Sequence, residues 1–213
     1  MRHDYESRGL LEQDVVSDGI EQFQMWLDDA ISAGVTEPNA MVLSTVDDTG
    51  APHSRHVLLK GISTGGLEFY TNYGSDKGAQ IEANPAVALT FPWLALHRQV
   101  NIVGTATPLQ AEESDAYFAL RPRASQLGAW ASNQSRVIED RLVLDDALVH
   151  FDATFGEVVP RPPGWGGYRV APHRIEFWQG RPSRLHDRLR YTLETDVGLG
   201  EESSRWRITR HAP

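Results

Sequence analysis

The stretch GWGGYRVAPHRIEFWQGRPSRLHDRLRYTL, residues 164–193, decides how the rest of the chain is read. Proline and glycine punctuate residues 159–167 throughout, which predicts an irregular loop. Residues 168–171 and 174–179 then read as strands, and 188–193 pairs with 204–210 as a last hairpin. Three arginines, a histidine and a tryptophan fall within Ile175–Arg188, which packing alone does not explain. If that segment is extended, Arg184, His186 and Arg188 alternate along one face and form a convergent cationic surface. His186 beside Asp187 reads equally as a polarised base or as a surface pair, and Trp178 reads equally as core.

Upstream, the same hairpin grammar continues. Residues 40–46 and 55–60 are strand-like, and Asp47-Asp48-Thr49-Gly50 between them is a hairpin turn signal. Further strands fit 67–71, 86–92 and 98–107. Ile20, Phe23, Trp26, Leu27 and Ile31 recur at helical spacing and predict an amphipathic helix over 20–33. A short helix over 75–83 stops before Asn84-Pro85, because a residue preceding proline avoids the α region. Two more helices are expected at 110–120 and 135–155. Strands joined mostly by hairpins, with helices inserted between them, predict an α+β, mainly antiparallel protein built on a small barrel.

The composition agrees with a folded chain. Of 213 residues, 40% are hydrophobic and 23% charged, enough to bury a core and too apolar for disorder. No apolar run approaches the roughly 20 residues of a membrane span, and Met1–Tyr5 lacks the apolar stretch of a secretion signal. A cytoplasmic location is therefore expected, with no membrane partner. Cysteine is absent, which excludes disulfides, iron–sulfur clusters and thiolate nucleophiles.

Charge is unevenly placed. The net charge is −9, and residues 1–50, with eleven acids against two bases, carry all of it. Residues 161–190 hold seven arginines against Glu176 and Asp187. A compact cluster suits a small anionic ligand better than nucleic acid, which needs a broad basic face. The chain has eighteen arginines and two lysines, Lys60 and Lys77. A lysine retained against that bias marks a place for a compact ammonium, or chance.

Several chemistries are missing. No G-x-G-x-x-G follows a strand, and no G-x-x-x-x-G-K-[ST] is present. His53 and His56 fall on opposite faces of a strand, so they make no metal pair.

Three further polar clusters interrupt the apolar pattern. Arg55-His56-Val57-Leu58-Leu59-Lys60 sets two cations at the ends of a strand, fit to grip a phosphate or to be an ordinary strand edge. Tyr70-Thr71-Asn72-Tyr73-Gly74-Ser75-Asp76-Lys77 runs from a strand into a helix N-terminus, an anion site or an ordinary cap. Tyr117 and Arg121, four apart on a helix, share a face. With Arg123 and Ser125 nearby they provide a second place for a phosphate.

IEFWQGRPSRLHDR closely resembles the signature of the pyridoxamine 5′-phosphate oxidase family, flavoproteins with an FMN-binding split barrel. RHVLLK, FYTN-x-GS-x-K, FPW, RQV, RPR-x-SQLGAWAS-x-QS and GWGGYR also resemble that family, in its order, over roughly residues 35–190. The resemblance implies an FMN site at Arg55, His56, Val57, Leu58, Leu59, Lys60, Tyr70, Thr71, Lys77, Gln99, Gln134, Ser135, Trp178 and Arg188. It implies that Lys60, Tyr117, Arg121 and Ser125 hold a substrate phosphate, and that Arg184 and His186 lie over the substrate ring as catalytic residues. The implied organisation is an acidic segment 1–34, with a helix and with Arg2–Tyr5 as a candidate lid, before a split-barrel domain 35–213 that forms a homodimer. The implied reaction oxidises pyridoxine 5′-phosphate or pyridoxamine 5′-phosphate to pyridoxal 5′-phosphate, with O2 as acceptor and H2O2 as product. One position departs: Asp76 stands where several family members carry arginine. Two rivals remain, a related flavin oxidase acting on a phenazine-type metabolite and a non-catalytic flavin or pyridoxal phosphate binder.

Overall fold

Alternating inward apolar and outward polar residues build the strands. In β1 (Ala40–Val46), Met41, Leu43 and Thr45 point inward and are buried; in β5 (Ala86–Trp93), Val87, Leu89, Phe91 and Trp93 do the same. The computed structural model describes residues 9–63, 65–198 and 201–213. Within them the chain is α+β. Its other strands are β2 (Pro52–Leu58), β3 (Gly61–Ser63), β4 (Gly66–Asn72), β6 (Arg98–Pro108), β7 (Trp165–Gln179), β8 (Asp187–Gly198) and β9 (Glu201–Arg210). Five helices accompany them: α1 (Gly19–Ser32), α2 (Asp76–Ala83), α3 (Ala111–Ala119), α4 (Arg123–Ala131) and α5 (Leu142–Thr154). Arg2–Tyr5, the candidate lid, lies outside the described residues.

The strands form one antiparallel sheet in the order β2-β1-β5-β6-β7-β4-β3, with β8 and β9 branching from β7. β7 is what splits it. One side of β7 pairs with β6 along its length; the other side pairs first with β4, over Trp165–Val170, and then with β8, over Arg174–Gln179. The register with β6 shifts between Val103 and Gly104, opposite Pro172, where the missing proline N–H costs no ladder bond.

α1 closes one end of the barrel. Asp18 caps it, its Oδ1 accepting from Ile20 N–H and Glu21 N–H. Phe23, Trp26, Leu27 and Ala30 join the same core as the sheet, with Phe23 4.8 Å from Phe91 and Trp26 5.1 Å from Phe177. Ile31, read as part of that face, is exposed. A second apolar cluster lies under the helices: Phe118, Leu127, Val159 and Trp165 are buried there, with Tyr70, Tyr117, Trp130 and Phe151 around them.

Four local expectations change. The loop expected over 159–167 ends earlier, because Trp165–Gly167 already pair with β4. A Cβ on Gly167 would lie 2.5 Å from Leu109 and 2.7 Å from Tyr70, so the glycine permits a strand packed this closely, not a turn. The helix expected over 135–155 begins at Leu142 instead, since Ser135 adopts a left-handed φ of 70° that no helix continues through. α4 was not anticipated: Pro122 ends the preceding helix and also opens this one. The strand expected over 55–60 runs from Pro52 to Leu58, leaving Lys60 beyond its end.

Candidate active site

β2 is an edge strand whose residues alternate. Arg55, Val57 and Leu59 turn inward, whereas His56, Leu58 and Lys60 are exposed. Arg55 is half-buried against neutral partners. Its Nη1 donates to Thr45 Oγ1 at 2.5 Å and its Nη2 to Gln80 Oε1 at 3.1 Å, while Thr45 Oγ1 donates to Gln80 Oε1 at 2.6 Å. Burial pulls the Arg55 guanidinium below its usual pKa, and only the nearby Asp76 acts the other way.

Lys77 stands on the first turn of α2. Ser75 caps this helix, its Oγ accepting from Gly78 N–H at 3.3 Å, so the cap belongs to Ser75 and Asp76 is left exposed beside it. Lys77 Nζ donates to Gln134 Oε1 at 2.5 Å and to Ser75 Oγ at 3.3 Å. Thr71 Oγ1 donates to the same Gln134 oxygen at 3.2 Å, and Asp76 N–H donates to Ser135 Oγ at 3.2 Å. Burial lowers the Lys77 pKa, and the charge of Arg55 lowers it further. Two desolvated cations thus face each other at a helix N-terminus, among hydroxyls and amides and without an ion-paired carboxylate. That donor set fits a phosphate monoester.

Gln134 also lines a cavity of about 250 Å³ with Asn72, Arg121, Ser125, Gly128, Ala129, Ser132 and Trp165. Arg121 lies over Trp165, its Cζ 4.7 Å from the ring centroid. Its Nη1 is buried and has no hydrogen-bond partner among the described residues. Burial lowers its pKa, with Tyr117 acting slightly the other way. An unmatched buried guanidinium donor calls for an acceptor that enters the cavity. Tyr117 is half-buried in a stack, 3.9 Å from Tyr70, which in turn lies 5.4 Å from Trp165. Burial, with Glu68 and Tyr117 nearby, raises the Tyr70 pKa to about 12.

Lys60 does not share this cavity. It lines a separate cleft of about 240 Å³ with Gln24, Leu27, Asn39, Leu59, Gly61 and Ile62.

The third group lies on the outer face of the sheet. Gln99, Trp178 and Arg188 stand opposite one another on β6, β7 and β8 and form one transverse row. Arg188 is ion-paired with Glu176 at 3.0 Å, and Arg190 shares that carboxylate at 2.8 Å. His186 lies 4.6 Å from the Trp178 ring and its Nδ1 accepts from Arg181 N–H at 3.1 Å. The alternation expected of Arg184, His186 and Arg188 does not form. Pro182–Arg184 make a 3-10 turn in which Ser183 and Arg184 both have left-handed φ, 58° and 62°. Non-glycine residues held there carry strain of the sort that accompanies function. The His186–Asp187 pair is absent too, because Asp187 accepts from Arg210 at 2.7 Å and from Leu10 N–H at 3.1 Å.

Three neutral contributors escaped sequence reading. Thr45 and Gln80 look like ordinary strand and helix residues, and only the fold turns them onto Arg55. Trp165, embedded in glycines, gives no sign that it underlies a guanidinium.

Comparison with known proteins fits this geometry. Residues 27–155 match the model described as pyridoxamine 5′-phosphate oxidase, and residues 165–213 match the pyridoxine 5′-phosphate oxidase C-terminal dimerisation region. The chain is 54% identical over 214 residues to the pyridoxine/pyridoxamine 5′-phosphate oxidase of Rubrobacter xylanophilus, covering 100% of this chain and 95% of that one. It is 53% identical over 194 residues to the enzyme of the same name from Synechocystis sp., covering 91% of each. Among solved structures, PhzG from Burkholderia lata 383 in complex with tetrahydrophenazine-1-carboxylic acid superposes with a TM-score of 0.87 at 31% identity, covering 98% of this chain and 100% of that one. With matched regions running in order from residue 27 to the C-terminus, the chain belongs to the pyridoxamine 5′-phosphate oxidase family.

Proposed function

We propose that this chain is an FMN-dependent oxidase that converts pyridoxine 5′-phosphate or pyridoxamine 5′-phosphate to pyridoxal 5′-phosphate, working as a homodimer. One observation carries the proposal. Among the described residues, burial brings the pKa of Arg55, Lys77 and Arg121 below its ordinary value, none of the three is ion-paired with a described carboxylate, and they fall in two clusters joined at Gln134. Two neighbouring anion sites suit a flavin phosphate and a substrate phosphate side by side.

Arg55, Lys77, Thr71, Gln134 and Ser135 hold the flavin phosphate. The segment from Arg55 to Lys60, along β2 and just past its end, with Tyr70, Gln99, Trp178 and Arg188, holds the remainder of the cofactor. When bound, the flavin supplies the hydride acceptor and passes the electrons to O2. Arg121, Ser125, Tyr117 and Lys60 anchor the substrate phosphate, and that remote binding energy aligns the reacting carbon. Lys60 lines a separate cleft, so its part in the phosphate site rests on the family resemblance alone. Arg184 and His186 orient the pyridine ring. His186 Nδ1 accepts from the Arg181 N–H, which holds the ring in place for that role. The fixed charge of Arg184 favours the deprotonated alcohol or amine beside it and so assists loss of that proton. The alcohol plus O2 gives aldehyde and H2O2; the amine also takes up water and releases ammonia.

Oxygen uptake by the purified protein with added FMN tests the reading. Pyridoxine 5′-phosphate is expected to be oxidised with one H2O2 formed per aldehyde, and to bleach the yellow protein when oxygen is removed. Arg184→Ala is expected to slow that bleaching far more than it weakens FMN binding. Turnover of a phenazine precursor without turnover of pyridoxine 5′-phosphate would replace this reading with the first rival, and flavin binding with no turnover would replace it with the second.

A further inference from the structure

Arg161 lies in the loop that enters β7, its side chain only 15% exposed. Nε donates to Asp115 Oδ1 on α3 at 2.5 Å, and Nη1 donates to the carbonyl oxygen of Trp165 at 2.6 Å. One guanidinium therefore fastens the first residue of β7 to the helix that carries Tyr117. Trp165 is the ring on which Arg121 rests, and it also stacks with Tyr70 and Tyr117. Arg121 Nη1 has no hydrogen-bond partner among the described residues. The rings of Trp165 and Phe118 beneath it are therefore the contacts that set where its guanidinium lies.

We infer that Arg161 is a positioning residue for phosphate recognition: by fixing Trp165 against α3 it sets the place of the Arg121 guanidinium in the cavity. The inference rests on the reading of Arg121 as a substrate-phosphate ligand. Arg161 touches neither substrate nor cofactor in this scheme. Its planar fork reaches a carboxylate and a carbonyl at once, which an ammonium cannot do with the same geometry. Without it the Trp165 ring stays buried by its aromatic neighbours, while its carbonyl loses its tie to α3 and β7 stays joined to that helix farther on, through the Gly167 N–H on Ser114 Oγ. A shift of about 1 Å at an anchoring group is enough to weaken binding markedly.

The test compares pyridoxal 5′-phosphate with pyridoxal, which lacks the phosphate, as ligands titrated into FMN-loaded protein. KM and kcat for pyridoxine 5′-phosphate are measured alongside. Arg161→Ala is expected to weaken pyridoxal 5′-phosphate binding and raise KM about tenfold, leaving pyridoxal binding and kcat within about twofold of the parent. Arg161→Lys and Asp115→Asn each preserve part of the clamp and are expected to show intermediate losses in the same direction. Equal weakening of both ligands would mean that Arg161 only supports the fold, and would overturn the inference. So would a normal preference for the phosphorylated ligand in all three variants. Arg121→Ala separates the two levels: if it weakens pyridoxal 5′-phosphate binding while Arg161→Ala does not, only the role of Arg161 falls. If Arg121→Ala has no effect, the reading of the cavity falls with it.

Discussion

Replacing Lys77 with methionine separates binding from folding at the proposed flavin-phosphate site. Methionine keeps much of the length and apolar surface of the stem and removes the ammonium. In the free protein that ammonium donates to Gln134 and Ser75, but it is half-buried and its charge faces Arg55. Hydrogen bonds to a charged group contribute about 1.5–3 kcal/mol, so losing one to a phosphate weakens FMN binding about 10- to 150-fold. Folding is affected differently. The lost hydrogen bonds and the relieved desolvation and repulsion oppose each other, and Gln134 keeps its bond from Thr71. The melting temperature without flavin is therefore expected to move by less than about 3 °C. The pH dependence has a definite sign. The folded pKa of Lys77 lies below its unfolded value, so the folded chain binds that proton more weakly. Stability of the parent thus rises as pH climbs through the folded value toward about 10.4, and Lys77→Met lacks that rise. Quenching of FMN fluorescence on titration measures the affinity, and thermal melts across pH measure the rest. A large fall in melting temperature together with the loss of affinity would refute the reasoning, as would unchanged affinity.

Three other changes follow from the same contacts. Asp76→Asn removes an exposed negative charge beside Arg55 and Lys77; FMN titrations are expected to show about two- to fivefold tighter binding at low salt, the gain shrinking as salt screens the site. Glu176→Gln leaves Arg188 and Arg190, each 27% exposed, without their shared carboxylate. Urea unfolding at neutral pH is expected to show a loss of about 1–2 kcal/mol, less than for a fully buried pair. Burial alone raises the Glu176 pKa, but the two arginines outweigh it and hold the group below its ordinary value. Its contribution is therefore complete above about pH 4.5 and lost as pH falls through the lowered folded value, a loss that Glu176→Gln does not show. Gly167→Ala places a methyl 2.5 Å from Leu109 and 2.7 Å from Tyr70; it is expected to cost about 1–3 kcal/mol and weaken FMN binding by displacing Tyr70, as read by melting and titration.

How far the sequence revealed these features depended on what each residue must satisfy. The hairpins were legible because one face of each strand is buried, so period-two alternation survives in β1 and β5. β7 was read as two strands because Pro172 interrupts it, yet the proline falls at a register shift that absorbs it. The helix expected from residue 135 took in Val137 and Ile138. Both are exposed, and the chain before Leu142 follows the left-handed turn at Ser135. The charged members of the site were visible in the sequence, whereas Thr45 and Gln80 were not. Neutral groups that orient a cation carry no signature until the fold brings them to it.

The same distinction separates cations that hold the fold together from cations that await a ligand. Arg98, Arg161, Arg169, Arg188, Arg190 and Arg210 each meet a carboxylate, so the chain neutralises them itself. Arg55, Lys77 and Arg121 meet hydroxyls, amides or a ring, and burial lowers the pKa of all three. A half-buried cation without an acid partner is costly to keep unless something from outside restores its charge balance. Arg188 falls in the other class, although it was expected at the flavin. Its Nη2 and Nε are held by Glu176, and Nη1 donates to the Ala212 carbonyl. A contact from Arg188 to the flavin would use the second N–H of Nη1, beside its bond to Ala212, or exchange that bond. Either way Arg188 acts as a placed dipole more than as a free charge. Under the proposed function, the cofactor would be gripped mainly through its phosphate, by the two cations on β2 and α2, and the row on β6, β7 and β8 would set where its ring lies.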